Sequence, residues 1–185
     1  IPATVGVILT AKYFVPLMFG EAFSDAIVTT EILSISIITV AFSNFFGYQV
    51  LVTIGKEKEM LISTIIGAII NIALNFALIF AFKHNGVAIA SAITELCVTL
   101  YQIKAVNKEI CIRIEKKFIL SALIGTACMV VSVIVCQTIF KRYFVCLLGS
   151  VIMGVLVYGI ITLVMRNEIS VWIYEKIKCL KLRIN

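Results

Sequence analysis

The chain has 185 residues, of which 62% are hydrophobic and 14% charged, and its formal net charge is +6. Soluble domains average about 45–50% apolar and about 25% charged residues, whereas the mean hydropathy here is +1.12. This composition excludes a soluble enzyme, a nucleic-acid-binding protein and a disordered tail, and indicates a multi-pass membrane protein. Because the chain begins at Ile1 inside an apolar run and has no signal-peptide pattern, we expect it to be part of a longer protein.

Six stretches are long and apolar enough to form membrane-spanning helices. A helix needs about 20 apolar residues to cross a hydrocarbon core of about 30 Å. The runs are continuous rather than alternating, which favours helices over the strands of a barrel. The predicted spans are 1–19, 32–55 (beginning near Ala26), 60–82, 86–103, 118–140 and 143–165. We therefore predict an all-α polytopic bundle of six helices within a transmembrane domain, 1–165.

The connections between these spans differ in charge, which predicts their orientation. One set, 55–59, 104–117 and 166–185, carries 12 lysines and arginines, whereas 20–25, 83–85 and 141–142 carry 3. Basic connections stay on the cytoplasmic side, so we expect the first set and the C-terminus to be cytoplasmic in a bacterial inner membrane. We predict that the tail, 166–185, is a basic amphipathic helix on the membrane surface; a solvated tail is the alternative.

Cysteine and histidine do not suggest a metal site. The chain has six cysteines and one histidine, and no C-x-x-C motif. We interpret the cysteines as small apolar packing residues. No P-loop, G-x-S-x-G or H-E-x-x-H motif occurs, so we predict neither an enzyme nor a bound cofactor or metal.

Polar residues inside the predicted spans are the candidates for function. A charge near the bilayer centre costs at least about 2.5–3.5 kcal/mol, so such a residue faces protein or water. Glu95 lies on a helix face with Ala88, Ser91, Thr99 and Gln102. We expect it to bind a proton, a cation or a polar substrate group; the alternative is a carboxyl group that only holds the bundle together.

The other candidates are less clear from the pattern. Lys12 either attracts an anionic substrate, reaches toward an interface, or pairs with Glu31. Asn71 and Asn75 form one stripe with Ser63 and Gly67, for which interhelical hydrogen bonding is the simpler explanation. We also include as pathway candidates Glu31 and Asn44, of which Asn44 stands one helical turn before Tyr48.

Three strings resemble a known family. PLMFGEAFSDA (Pro16–Ala26), GYQVLVTIGKEKEM (Gly47–Met60), and IIGAIINIALNFALIF with NGVAIASAITE (within Ile65–Glu95) are similar to segments of bacterial oligosaccharide repeat-unit flippases. These flippases are the O-antigen and capsule type of the polysaccharide transporter family, within the multidrug/oligosaccharidyl-lipid/polysaccharide exporter superfamily. The chain departs from the family in reading Gly86-Val87-Ala88 where Gly-Ala-Ala is common.

The resemblance implies the C-terminal half of a transporter with two lobes around a central cavity. Its substrate would be an undecaprenyl-pyrophosphate-linked oligosaccharide, moved to the outer leaflet by alternating access. Lys12 would meet the pyrophosphate and Glu95 would couple to a proton or sodium gradient. The partners would be membrane lipids, the missing N-terminal bundle and a polysaccharide polymerase, with no nucleic acid. An ion-coupled drug extruder, and a membrane enzyme or scaffold of polysaccharide assembly, are the alternatives.

Overall fold

The computed structural model describes residues 1–110, 116–140 and 142–165, and these residues are helical with short connections. The helices are α1 (Pro2–Phe19), α2 (Ala26–Ser43), α3 (Glu57–Glu109), α4 (Lys116–Ile139) and α5 (Tyr143–Val164), and α2 continues as a π-helix, Asn44–Leu51. All five are long and apolar enough to cross a membrane. The all-α, multi-pass prediction is therefore confirmed, and so is the expected start of the second helix at Ala26.

α3 consists of two antiparallel arms, 57–82 and 84–109, separated by the non-helical Lys83 (φ 51°, ψ −131°). The contacts between the arms join residues that lie equally far from Lys83, within one residue: Lys56 with Glu109, Ser63 with Gln102, Gly67 with Val98, and Asn71 with Thr94. The arms correspond to the predicted third and fourth spans. Each arm is about 39 Å long at 1.5 Å per residue. Six membrane crossings stay a prediction.

The second arm of α3 is longer than expected. It continues to Glu109, whereas the sequence indicated a connection over 104–117. The helix continues because Ala105 and Val106 are buried against Phe46 and Leu51 of the π-helix. The expectation that 104–109 lies in a connection was therefore wrong. The predicted amphipathic tail, 166–185, lies outside the described residues.

The chain divides into two compact units, with a boundary after Leu17 in α1. The first unit contains most of α1 with α4 and α5, and the second contains α2 and α3. In the first unit, small residues bring α4 and α5 together. A Cβ at Gly125 would lie 3.1 Å from the Tyr158 ring, and one at Gly154 would lie 3.4 Å from Met129 Cγ. These glycines end the patterns Ser121-x-x-x-Gly125 and Ser150-x-x-x-Gly154, which thus serve close packing.

The two ends of α3 are joined at the surface. The Lys56 ammonium lies 2.7 Å from a Glu109 carboxylate oxygen. This carboxylate raises the pKa of the Lys56 amine above its ordinary value by hydrogen bonding and charge. Both side chains are more than 40% exposed, so the pair contributes little stability and mainly marks the register of the arms.

The strained backbone at Lys83 leads to a first prediction. A non-glycine residue at positive φ costs about 1–3 kcal/mol, so Lys83→Gly should raise the free energy of unfolding by about 1 kcal/mol. Thermal unfolding of the purified protein in detergent would measure the change. Lys83→Ala retains the strain and is the control. An equal gain in both variants would show that the backbone conformation is not responsible.

Candidate functional site

A chain of side-chain hydrogen bonds crosses between the two arms of α3 near their middle. Asn75 Nδ2 donates to Asn71 Oδ1 at 2.9 Å, and Asn71 Nδ2 donates to Thr94 Oγ1 at 3.4 Å. The acceptor of Asn75, Oδ1, is buried and has no hydrogen-bond partner within the described part of the chain. This series of hydrogen bonds therefore ends at Asn75, whose buried Oδ1 atom is an unsatisfied acceptor.

α2 adds a further polar atom at the same depth. It runs parallel to the second arm, because Thr29 Oγ1 donates to Asn85 Oδ1 at 2.6 Å and Thr99 Oγ1 donates to the Thr39 carbonyl at 2.9 Å. Ser36 lies three residues before Thr39, and Glu95 lies four residues before Thr99, which places them level with each other. The Ser36 hydroxyl is buried and makes no hydrogen bond to any described residue.

Glu95 is half-buried, and its carboxylate forms no hydrogen bond or ion pair with a described residue. It lies 11 residues after the start of its arm and 14 before the end, so it is far from both ends of the helix. We call Ser36, Asn71, Asn75, Thr94 and Glu95 the polar layer. Three helical segments contribute to this layer, and each of them brings at least one polar group that has no partner among the residues that the structure describes.

The chemistry of the polar layer suits a small cation or a proton. Its free groups are a carboxylate, an amide oxygen and a hydroxyl oxygen, and hard cations prefer oxygen ligands. A carboxylate at this depth in a membrane is costly unless a proton, a cation or a hydrogen-bond donor pairs with it. A bound ion or proton would offset this cost and use the free oxygen atoms.

The sequence analysis predicted that Asn71 and Asn75 belong to one stripe with Ser63 and Gly67. The structure places this stripe against the second arm: Ser63 Oγ accepts from Gln102 Nε2 at 3.1 Å, and a Cβ at Gly67 would lie 2.6 Å from Val98 Cγ2. The interhelical explanation thus describes the stripe. The contacts between the arms do not account for Asn75 Oδ1, which has no hydrogen-bond partner among the described residues.

Lys12 belongs to the unit that contains α4 and α5. The Lys12 side chain is exposed, and its ammonium lies 4.9 Å from the centre of the Tyr13 ring. That ring lies 6.0 Å from the ring of Tyr143, the first residue of α5. Lys12 is therefore level with a helix end rather than with the middle of a span, which favours the interface interpretation. Its pairing with Glu31 stays a prediction.

The remaining candidates, Glu31 and Asn44, lie on other turns of α2 and its continuation than Ser36 does. Asn44 is exposed at the start of the π-helix, and Tyr48 is 62% exposed. Glu31 is half-buried, and its backbone carbonyl accepts the Ser34 hydroxyl at 2.6 Å. Neither Glu31 nor Asn44 belongs to the polar layer.

Ser36 and Thr94 are the members of the polar layer that the sequence analysis missed. Hydroxyl residues in apolar helices usually bond to a carbonyl three or four residues earlier, as Ser34 and Thr39 do here. The Ser36 hydroxyl makes no such bond, and nothing in the sequence distinguishes Ser36 from Ser34 or Thr39 in this respect. Thr94 lies beside the predicted face, and only the packing of the two arms shows that it meets Asn71.

Comparison with known proteins gives one finding about function. The chain is 30% identical over 92 residues to a protein of Escherichia coli (strain K12) named "Putative O-antigen transporter". The match covers 50% of this chain and 22% of that relative. No protein-family model matches the chain, and no solved structure matches it. The similarity is consistent with a transport protein related to polysaccharides.

The hydrogen bonds between the arms lead to a second prediction. Asn71→Leu removes both the acceptor of Asn75 and the donor to Thr94, so the free energy of unfolding should fall by roughly 0.6–2 kcal/mol. Thermal unfolding in detergent would measure it. The matched control is Asn44→Leu, at an exposed position whose side chain makes no hydrogen bond to any described residue. A similar loss in both variants would show that the contact contributes nothing specific.

Proposed function

We propose that the protein containing this chain moves a lipid-linked oligosaccharide from the cytoplasmic to the outer leaflet of the bacterial inner membrane. The polar layer carries the proposal, because it combines, on apolar helices, a carboxylate and two oxygen atoms that have no partner among the described residues. The similarity to a protein named as an O-antigen transporter supports the substrate class. The substrate would be an undecaprenyl-pyrophosphate-linked repeat unit used in O-antigen, capsule or exopolysaccharide synthesis.

The physical requirement for such a protein is a switchable hydrophilic route. Sugars and a pyrophosphate are too polar to enter hydrocarbon, whereas the polyprenyl chain is already soluble there. A cavity that opens to one side of the membrane and then to the other lets the head group cross while the tail stays in lipid. The N-terminal bundle that we expect in the whole protein would form the other wall of this cavity.

In this mechanism Glu95 couples transport to an ion gradient. Binding of a proton or sodium ion in the polar layer removes the unpaired charge and changes which conformation is favoured. Lys12, at the level where α5 begins, would attract the pyrophosphate near the outer end of the route. Glu31 and Asn44 would contribute polar surface elsewhere along it. The protein would act as a transporter rather than an enzyme, with its C-terminus in the cytoplasm.

The ion-coupling role gives a third prediction. In the intact protein, Glu95→Gln should lower the rate of transport roughly tenfold, because the coupling ion loses its charged ligand. The measurement is uptake of a lipid-linked oligosaccharide into inverted membrane vesicles under an imposed proton or sodium gradient. Glu21→Gln, in the exposed connection after α1, is the control. Equal transport by Glu95→Gln and the wild type would remove Glu95 from the mechanism.

The substrate gives a fourth prediction. Deletion of the gene should abolish surface polysaccharide and cause the lipid-linked repeat unit to accumulate in the inner leaflet, which extraction and mass spectrometry would detect. Restoring the gene with Lys12→Ala should return less polysaccharide than restoring the wild type. A deletion strain with normal polysaccharide and increased drug sensitivity would contradict the proposal and favour an ion-coupled drug extruder.

A further inference from the structure

α2 and its continuation are held unevenly against α3. Within Ala26–Ser43 the only buried residue is Ser34, whereas Phe46, Gly47 and Leu51 are all buried in the π-helix. Phe46 and Leu51 pack with Ala105 and Val106 into an apolar cluster. This cluster lies at the predicted cytoplasmic end, so the helix is fixed at that end.

Gly47 strengthens this fixed end through Gln102. A Cβ at Gly47 would lie 2.9 Å from Gln102 Nε2, which is too close for any residue except glycine unless the amide moves. The same Nε2 donates to Ser63 Oγ at 3.1 Å. α2 and both arms of α3 therefore meet at one buried amide group.

The rest of α2 is tied to α3 by exchangeable contacts. The side-chain hydrogen bonds that join it to the second arm are those from Thr29 to Asn85 and from Thr99 to the Thr39 carbonyl. Hydrogen bonds between helices in a membrane are individually weak, because alternative partners are available. The outer part of α2 can therefore separate from α3 at a smaller cost than its buried end.

The eight-residue π-helix contains the buried contacts of the fixed end and joins this end directly to Ala26–Ser43. π-Helices are rare, usually limited to one turn, and are a recognised cause of helix kinks. We propose that the π-helix Asn44–Leu51 is a hinge that bends where it begins, near Asn44: its buried residues stay fixed on α3, while Ala26–Ser43 swings and controls access to the polar layer. The role of this movement in transport rests on the proposed function, whereas the movement itself does not depend on it.

Two unsatisfied groups support a second arrangement of this helix. Gln102 Oε1 and Ser36 Oγ are buried without hydrogen-bond partners among the described residues. A buried acceptor without a donor is unfavourable, so a conformation that supplies donors can compete with this one. Ser36 is on the part of α2 that moves, and Gln102 is at the hinge, so both would change their surroundings when α2 swings.

The test compares two cysteine pairs in the full-length protein, after removal of its native cysteines. The outer pair replaces Thr29 and Asn85, which join α2 to the second arm. The inner pair replaces Lys56, which precedes the first arm, and Glu109, which ends the second arm, and it is the reference for a contact that does not move. Reducible bifunctional thiosulfonate reagents with short and long spacers are applied to native membranes. We expect the outer pair to be linked by both spacers and the inner pair by the short spacer alone. If both pairs accept only the short spacer, the hinge is excluded.

Gly47 provides a second variant with a matched control. Gly47→Ala should change the ratio of short to long crosslinks at the outer pair by severalfold, because its Cβ displaces the Gln102 amide. Gly159→Ala, where a Cβ has no neighbour within 4 Å, should leave the ratio unchanged. The ratio should return toward its original value in Gly47→Ala combined with Gln102→Ala. An unchanged ratio in folded Gly47→Ala protein would overturn the role of Gly47 at the hinge.

Transport then separates the two proposals. Crosslinking the outer pair with the short spacer should stop transport of the lipid-linked oligosaccharide until the linker is reduced, and crosslinking the inner pair should not. If both spacers link the outer pair but the protein moves no oligosaccharide, the hinge is supported and the proposed function is rejected. If transport is undiminished while the short spacer links the outer pair, the proposed function is supported and the hinge is not its gate.

Discussion

The antiparallel contact between the two arms of α3 organises the unit that contains the candidate site. Apolar association drives helices together only weakly in lipid, so close packing and hydrogen bonds must hold the arms. Gly67 allows the close approach, and the bonds from Gln102 to Ser63 and from Asn71 to Thr94 fix the register. The strained turn at Lys83 sets where the chain reverses. The relative depth of the polar side chains on the two arms follows from this register.

The polar layer is a consequence of that register together with the position of α2. Asn71, Thr94 and Glu95 come to one depth because the arms are antiparallel about Lys83, and Ser36 joins them because α2 runs parallel to the second arm. Most polar groups of the unit find partners within the protein. The buried exceptions among the described residues of this unit are Ser36 Oγ and Asn75 Oδ1 of the polar layer, where we propose the ion site, and Gln102 Oε1, where we propose the hinge.

The unit formed by α1, α4 and α5 differs in character. Its helices pack through Gly125, Gly149 and Gly154 against ring, sulfur and methylene groups, and α4 and α5 have no ionisable side chain that resembles Glu95 in position. Cys136 and Cys146 are buried among these contacts, as expected for small packing residues, whereas Cys128 is exposed. We infer that this unit contributes shape and lipid contact more than ion chemistry.

The amino-acid sequence alone predicted the helical class and the approximate spans, and it identified Glu95 as a candidate for function. These follow from local properties: the length of apolar runs, the absence of alternation, and the cost of a charge within a span. It could not determine that Lys12 is level with a helix end, because depth depends on which helix lies beside it. The extension of the second arm to Glu109 was missed for a similar reason, since its stability comes from the packing of Val106 on Leu51. Only the tertiary structure decided which polar groups have partners, because a hydrogen bond between helices depends on register, and periodicity within one helix contains no information about register.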